Sequence, residues 1–326
     1  MKKISKRIIL LFITLIFLYF VLCNLDFKEL LSVIKTFNLK YIPLLIISIL
    51  SSLSLRGLIF KQLLAKNVKA PILELSHLCI TTAAMNIILP ARAGDIYRAF
   101  YIGSKYNTDK IKIFGTVMFE RIFDIMVIFS FLLAGVFIYH RSLIAMKLCF
   151  FAGSSMLIGF FTALAAYHYN KKEKLKTDKN PLSGLIDKVI HFINNVFNSF
   201  LRGFEAVESP RCILGAIITS FAVWFLECMN FYIVMLGFNC NIHWSVTLFL
   251  ISFIALACMI PSASIFIGPY QMAVISAFNL YNVNKETALA VSITEQSIVA
   301  ITTAIAAIIF FVKNNISYKE LQKNID

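Results

Sequence analysis

The stretch NIILPARAGDIYRA, residues 86–99, decides the fold, because it places three charged side chains and two helix-breaking residues inside an apolar segment. Proline removes a backbone donor, and glycine and proline together interrupt a helix. In a lipid bilayer such an interruption is tolerated only where it is buried in protein or lines a wet cavity. The stretch therefore predicts that a membrane segment, residues 72–103, is broken in its middle near Pro90 and Gly94.

The rest of the chain has the composition of a polytopic α-helical membrane protein. Its 326 residues are 59% hydrophobic and only 15% charged, whereas a soluble domain of this size needs far more polar residues to cover its surface. No polar block is large enough to fold as a second, soluble domain. We therefore predict an all-α fold and a single membrane domain over residues 1–326.

Six apolar runs are long enough to cross a hydrocarbon core of ~30 Å as plain helices. They are residues 8–24, 41–60, 113–139, 143–168, 211–236 and 286–312. A further apolar segment, residues 244–281, is interrupted by Pro261, Gly268 and Pro269. We predict that this segment and residues 72–103 are re-entrant or broken helical hairpins, although hydropathy alone gives about eight or nine simple membrane helices.

The basic residues predict the orientation in the membrane. They concentrate at the N-terminus, in the loop of residues 169–210 and in the C-terminal tail, whereas the alternate loops hold few. This bias places both termini in the cytoplasm of a multi-pass cell (plasma) membrane protein. The two broken segments would then open to opposite sides, as in an inverted repeat. The end of the loop 169–210 has the pattern of an amphipathic interfacial helix.

Several classes of function find no support in the sequence. The net charge of +14 is explained by basic loops that face lipid headgroups, and no RNA- or DNA-binding motif accompanies it, so we predict no nucleic-acid partner. The histidines and cysteines lack metal-ligand spacing. Catalytic triads and phosphate-binding glycine loops are also missing. The residues thus predict no catalytic group, no metal and no cofactor, and they give no sign of an enzyme.

Ionisable residues inside membrane segments are costly and usually face a cavity or a partner. In the first broken segment, Arg92, Asp95 and Arg98 follow one another at intervals of three and share a helix face. A helix that starts after Pro90 would aim its N–H groups at an anion, and two guanidiniums beside it could hold a phosphate. An internal Arg–Asp–Arg network that merely locks the hairpin explains the same residues equally well.

A second charged group, Glu120, Arg121 and Asp124, lies on the following span. The two carboxylates are four residues apart, so they repel each other unless a cation lies between them. We expect Arg92 or Arg98 to supply that cation. Structural pairing across helices is therefore favoured over a proton relay.

Two more carboxylates, Glu227 and Glu295, fall within later spans. Pairing with a neighbour, or a position near the membrane boundary, is the simpler explanation for both. A role in binding a coupling ion is the alternative.

The pattern NxxLPxRxGDxxRA, followed on the next span by ERxxD, resembles the flippase-like membrane region of the lysylphosphatidylglycerol synthases, the multiple peptide resistance factors. The matching residues are Asn86, Pro90, Arg92, Gly94, Asp95, Arg98 and Ala99, then Glu120, Arg121 and Asp124. A third family motif, Pro-Ser-x-Pro-Gly-x-x-Gly-x-x-Glu/Gln, is matched only in part. Its counterparts are Pro261, Ser262, Gly268, Tyr270 and Gln271, with Ser264 and Ile265 where Pro-Gly is usual and with Pro269 where a small or hydroxylated residue is common.

The resemblance implies a bundle of membrane helices with re-entrant elements that handles a lipid or lipid-linked anionic headgroup. In the two-part resistance factors, which link the family to antibiotic resistance, a cytosolic domain attaches lysine to phosphatidylglycerol and the membrane region moves the product outward. This chain ends at Asp326 without such a domain. We therefore expect no aminoacyl transfer by the chain alone, although the family name suggests a phosphatidylglycerol lysyltransferase.

These inferences together predict a translocase of a lipid or lipid-linked headgroup in the cytoplasmic membrane, with membrane lipids as its partners. The predicted substrate-binding residues are Asn86, Arg92, Asp95 and Arg98, the supporting ion network is Glu120, Arg121 and Asp124, and the hairpin breaks and gate are Pro90, Gly94, Pro261, Gly268, Pro269, Tyr270 and Gln271. One alternative is a non-transporting accessory subunit of a separate lipid-modifying or glycan-assembly enzyme. A membrane-embedded transferase is the other.

Overall fold

The computed structural model describes residues 17–23, 25–64, 68–89, 92–139, 210–258 and 268–313. Within these ranges the regular structure is helical and contains no strand. Residues 17–22 are helical. The helices that follow are α1 (Phe27–Lys35), a 3-10 turn (Leu39–Tyr41), α2 (Ile42–Leu63), α3 (Ile72–Ile88), α4 (Ala93–Lys105), α5 (Lys110–Tyr139), α6 (Pro210–Gly237), α7 (Val246–Ala257), α8 (Pro269–Asn279) and α9 (Lys285–Lys313).

Four of the described helical stretches are long and apolar enough to cross a membrane. They are Leu39–Leu63, Lys110–Ile138, Arg211–Gly237 and Lys285–Val312. These stretches confirm the predicted spans at 41–60, 113–139, 211–236 and 286–312. The other predicted spans, residues 8–24 and 143–168, lie wholly or mostly outside the described residues, as does the loop 169–210 with its predicted interfacial helix.

Both segments that were predicted to be broken are interrupted. The first gives α3 and α4, and the second gives α7 and α8. α8 begins at Pro269, directly after Gly268, whose φ of 96° is readily adopted only by glycine. Pro90 and Pro261 lie outside the described residues. The re-entrant form of the two segments and the inverted repeat stay predictions.

Gly94 lies in the first turn of α4 and not in the break itself, which differs from the prediction. A Cβ at this position would come within 2.5 Å of the Thr82 carbonyl oxygen and 2.7 Å of Asn86 Oδ1. Gly94 is therefore needed for the close approach of α4 to α3. The chain instead changes direction at Arg92, whose φ of 53° lies in the left-handed region that few non-glycine residues adopt.

The helices form one bundle with α2 near its centre. α2 packs along α6 and α3, α5 contacts α4 and α7, and α9 contacts α3 and α8. α2 and α6 run antiparallel, because the Asn38 N–H beside α2 donates to the Gly237 carbonyl at 2.9 Å while Gly215 faces Gln62 at the other end. The centre of the bundle thus lies where α2, α5 and α6 meet.

Gly57 of α2 marks the close contact with α3. A Cβ there would lie 2.5 Å from Ser76 Cα and 2.6 Å from Ser76 N, which are backbone atoms and cannot move aside singly. We expect Gly57→Ala to lower the free energy of unfolding by about 1–3 kcal/mol, measured in detergent micelles. Gly215→Ala is the matched control, since its new carbon meets only the end of the Gln62 side chain, at 3.0 Å. Equal stability of the two variants would contradict the close contact.

Candidate functional site

The charged side chains of the two sequence motifs meet in one group at the centre of the bundle. We call this group the charge network. It consists of Arg56, Asp95, Arg98, Glu120, Arg121 and Asp124. Three arginines face three carboxylates, so the formal charges cancel. This balance matters because an uncompensated charge in apolar surroundings costs several kcal/mol.

The buried end of the charge network is the ion pair between Arg98 and Glu120. Arg98 Nη2 lies 2.9 Å from Glu120 Oε2, and the two side chains are 2% and 0% exposed. The Arg98 guanidinium also covers the Phe60 ring, with Cζ 4.6 Å from the ring centre, and Nη1 donates to Cys79 Sγ at 3.2 Å. Arg98 therefore connects α4 to α2, α3 and α5.

This position of Arg98 differs from its predicted contact with a substrate phosphate. The side chain is enclosed, and its charge is already neutralised by Glu120. A phosphate could reach the guanidinium only by displacing that carboxylate. The structure thus places Arg98 among the residues that hold the bundle together.

The opposite side of the charge network is more accessible. Arg121 Nη2 lies 3.1 Å from Asp95 Oδ1, and its Nη1 lies 2.9 Å from Asp124 Oδ2. The Arg121 side chain remains 25% exposed. Asp95 also accepts a long hydrogen bond from Asn86 Nδ2 at 3.5 Å. Arg121 is consequently held by carboxylates of α4 and α5 while part of its surface stays open.

Arg56 and Trp224 complete the network, although the sequence pattern had not singled them out. Arg56 Nη1 lies 3.2 Å from Asp124 Oδ2 and 3.6 Å from Glu120 Oε1, so Arg56 is the cation between these two carboxylates. Trp224 Nε1 donates to Asp124 Oδ1 at 2.7 Å. A signal for Arg56 was present, because it is the one charged residue in the apolar run 42–60 and a lone intramembrane cation needs a carboxylate.

Arg92 lies at the exposed edge of the charge network. It directly precedes α4, which begins at Ala93, and its own residue is exposed. Asp95 follows three residues later in the first turn of α4 and pairs with Arg121. Arg92 therefore flanks the Asp95–Arg121 side of the network, whereas Arg98 lies about one turn farther along α4.

A second polar group lies one helical turn from the charge network, toward the start of α2 and the end of α6. Glu227 accepts hydrogen bonds from Ser52 Oγ at 3.0 Å and from Asn230 Nδ2 at 3.3 Å. Ser52 precedes Arg56 by one turn, and Glu227 follows Trp224 by one turn. The structure thus places Glu227 next to the charge network but outside it.

Two residues of the predicted second gate, Tyr270 and Gln271, bind to α9. The Tyr270 hydroxyl donates to Glu295, and Gln271 Nε2 donates to Gln296 Oε1 at 2.7 Å. The Gly268 N–H donates to Gln271 Oε1 at 2.8 Å, which closes the start of α8. The start of α8 is thereby fixed to the middle of α9.

Comparison with known proteins gives consistent similarities. A family model described as lysylphosphatidylglycerol synthase TM region matches residues 7–307. The UPF0104 membrane protein MJ1078 of Methanocaldococcus jannaschii is 25% identical over 240 residues, which cover 72% of this chain and 97% of that protein. Glycosyltransferase AglD of Haloferax volcanii is 23% identical over 353 residues, which cover 97% of this chain and 56% of AglD. No solved structure matches the chain.

Proposed function

We propose that this chain, which belongs to the lysylphosphatidylglycerol synthase TM-region family, moves a lipid or lipid-linked headgroup with an anionic phosphate across the cytoplasmic membrane. One observation carries the proposal. The charge network is sealed at Arg98 and Glu120 but open at Arg121, with Arg92 exposed beside it. An ion network that served the fold alone would have no reason to keep arginine surface open within a membrane segment.

The open side of the network has the chemistry of phosphate binding. A guanidinium presents parallel N–H groups that match two phosphate oxygens. Arg121 is already oriented by Asp95 and Asp124, so less conformational entropy is lost when a ligand binds. The six network charges cancel, and Arg92 adds a positive charge at their edge. The start of α4 adds the positive end of a helix dipole.

The path of the headgroup is assigned to the space between the two breaks. α9 contacts both α3, which ends at the first break, and α8, which begins at the second, and this supports a close approach of the breaks. Tyr270 and Gln271 would line the far side of this path. Re-entrant hairpins, openings to opposite sides and cytoplasmic termini belong to the same proposal. Arg98 acts in it as a positioning residue for Glu120.

The similarity to AglD favours a second candidate function. Nearly the whole chain aligns with 56% of a protein named a glycosyltransferase. A chain of this kind could serve as a non-transporting accessory subunit of a lipid-modifying or glycan-assembly enzyme. Such a subunit would bind the headgroup at the same arginines but would not move it.

Transbilayer movement of lipid in proteoliposomes tests the proposal. The purified full-length chain is expected to accelerate the movement of fluorescent phosphatidylglycerol between leaflets above the rate in protein-free vesicles. Arg92→Gln is expected to lower this rate about 10-fold, because a charge-assisted hydrogen bond contributes about 1.5–3 kcal/mol.

Lys40→Gln is the control, since Lys40 is an exposed cation near the start of α2, far from the break. A wild-type rate in Arg92→Gln would contradict phosphate binding at the break. Wild-type protein that binds the labelled lipid without moving it would favour the accessory subunit.

A further inference from the structure

Two carboxylates within the membrane helices, Glu227 and Glu295, lie outside the charge network and have no cationic partner among the described residues. Glu295 is 8% exposed and accepts a hydrogen bond from the Tyr270 hydroxyl. Glu227 accepts hydrogen bonds from Ser52 and Asn230. In the described part of the chain, no lysine, arginine or histidine lies within ion-pair distance of either carboxylate. The Tyr270 ring also packs against Phe231, which lies one helical turn after Glu227, with the ring centroids 6.4 Å apart, so Tyr270 connects the surroundings of the two carboxylates.

The end of α6, which is nearest to Glu227, and the start of α9, which is nearest to Glu295, lie on the same side of the bundle. The segment of residues 26–38 contacts both ends. The Asn38 N–H donates to the Gly237 carbonyl at 2.9 Å, and Asn284 Nδ2 donates to Glu29 Oε1 at 3.0 Å. The end of α6 and the start of α9 are therefore tied to one short segment.

Both carboxylates consequently lie at similar depth. Glu227 precedes Gly237, and Glu295 follows Lys285, by about ten residues, which is about 15 Å along a helix axis. This distance is about half of a hydrocarbon core of ~30 Å. The pair thus lies near the middle of the predicted membrane, where an ionised and unpaired carboxylate is most costly.

We infer that Glu227 and Glu295 form one proton-binding site, and that its proton couples headgroup movement to a proton gradient. Two like charges in low dielectric cannot both ionise without a large energetic cost, so the pair retains a proton. The inference rests on the proposed function. The chemical step is proton transfer alone: an O–H bond forms with a proton from one aqueous side and breaks when that proton leaves to the other.

The hydrogen-bonding groups around the pair suit both protonation states. Asn230 Nδ2 donates to the Glu227 carboxylate, whereas the buried Asn230 Oδ1 has no hydrogen-bond partner among the described residues. An amide can turn to accept a hydrogen bond from the acid form of the same carboxyl. The Tyr270 hydroxyl can likewise donate to Glu295 whether or not it holds a proton. The site can therefore bind and release a proton while each carboxyl keeps a hydrogen-bond partner.

The other titratable groups that face the pair explain how its charge reaches the charge network. They are Tyr270 of α8, Cys228 of α6, Cys258 at the end of α7 and Arg56 of α2. On the other helices packed against α9, Glu29 of α1 lies at the end of the bundle, and His77 of α3 contacts Phe310, far along α9.

Arg56 is the group that transmits the change. It pairs with Asp124 at 3.2 Å, and Glu227 is held one helical turn away by the hydrogen bond from Ser52. When Glu227 loses its proton, its negative charge competes with Asp124 for Arg56. Asp124 then interacts more strongly with Arg121, so Arg121 attracts a phosphate less strongly. Proton binding and headgroup binding are thereby coupled, and coupling of this kind acts in both directions.

A proton gradient across proteoliposomes tests the inference. For wild-type protein, the ratio of phosphatidylglycerol movement with and without an imposed pH gradient is expected to be about 5, a typical lower value for coupled sites. Glu295→Gln, which keeps an acceptor for Tyr270, is expected to bring this ratio to about one. Glu29→Gln, an exposed carboxylate on α1, is the control and should keep the wild-type ratio.

A response to a sodium gradient and not to a pH gradient would overturn the inference and leave lipid movement intact. Absence of lipid movement in all proteins would contradict the proposed function instead. In that case the protonation of the two carboxyls can still be measured by infrared spectroscopy of the purified protein. A carboxylic acid carbonyl band at neutral pH that disappears in Glu295→Gln or Glu227→Gln supports the site, and absence of the band from wild type overturns it.

Discussion

Replacement of Glu120 by alanine is expected to lower the free energy of unfolding by about 3–5 kcal/mol, the cost of leaving a buried charge without its partner. Glu120 is fully enclosed and lies 2.9 Å from Arg98 and 3.6 Å from Arg56. Without it, the nearest carboxylate oxygen to Arg98 is that of Asp95, at 3.8 Å. The network then carries a net positive charge inside the bundle.

Reversible unfolding in mixed micelles measures this loss. Glu74→Ala is the matched control, because Glu74 also pairs with a cation at 2.8 Å, but that cation, Lys105, is 47% exposed, and pairs with a solvated partner contribute up to about 1 kcal/mol. The double variant Arg98→Met with Glu120→Met should recover most of the stability, since it removes both charges. If Glu120→Ala were no less stable than Glu74→Ala, the buried pair would not hold the bundle together.

Replacement of Arg121 by methionine is expected to have the largest effect on lipid movement, a loss of about 100-fold, with a smaller loss of stability than Glu120→Ala causes. Arg121 offers the open surface of the network, and a charge-assisted hydrogen bond contributes about 1.5–3 kcal/mol, or about 10- to 100-fold. Its removal leaves one net negative charge, but on the accessible side of the network, where solvent lowers the cost, and both neighbouring carboxylates keep a partner. Asp95 keeps Asn86, and Asp124 keeps Arg56 and Trp224.

Arg121→Lys separates charge from geometry in the same assay. Lysine keeps the positive charge but lacks the planar fork that matches two phosphate oxygens, so an intermediate loss of about 10-fold is expected. Unfolding measurements on both variants show whether the fold is intact. A wild-type rate of lipid movement in Arg121→Met, or a stability loss as large as that of Glu120→Ala, would assign Arg121 to the fold and not to the headgroup.

The helical architecture could be predicted because it depends on local properties of the sequence. Apolar runs of sufficient length gave the four spans that the structure describes, and Gly268 with Pro269 gave the start of α8. The exact residues at which the helices are interrupted were harder to predict. Gly94 serves a close contact between α4 and α3, and such a need depends on how near two helices come.

The candidate site could be predicted in composition but not in arrangement. Spacing alone puts Arg92 and Arg98 on one face of a helix, yet the left-handed backbone at Arg92 lies outside α4 and separates the two side chains. Which arginine is enclosed depends on the rotation of α4 against α5. Trp224 gave no signal for the same reason, since its hydrogen bond to Asp124 depends on how α6 is turned.

Arg56 also sets an order of events during biosynthesis. α2 leaves the ribosome well before α5, so Arg56 enters the lipid before Glu120 and Asp124 have been translated. An arginine at the centre of an inserting helix costs about 2.5–3.5 kcal/mol, which the many leucine and isoleucine residues of α2 offset. We therefore expect the nascent chain to hold Arg56 in the membrane without its carboxylate partners until α5 is inserted.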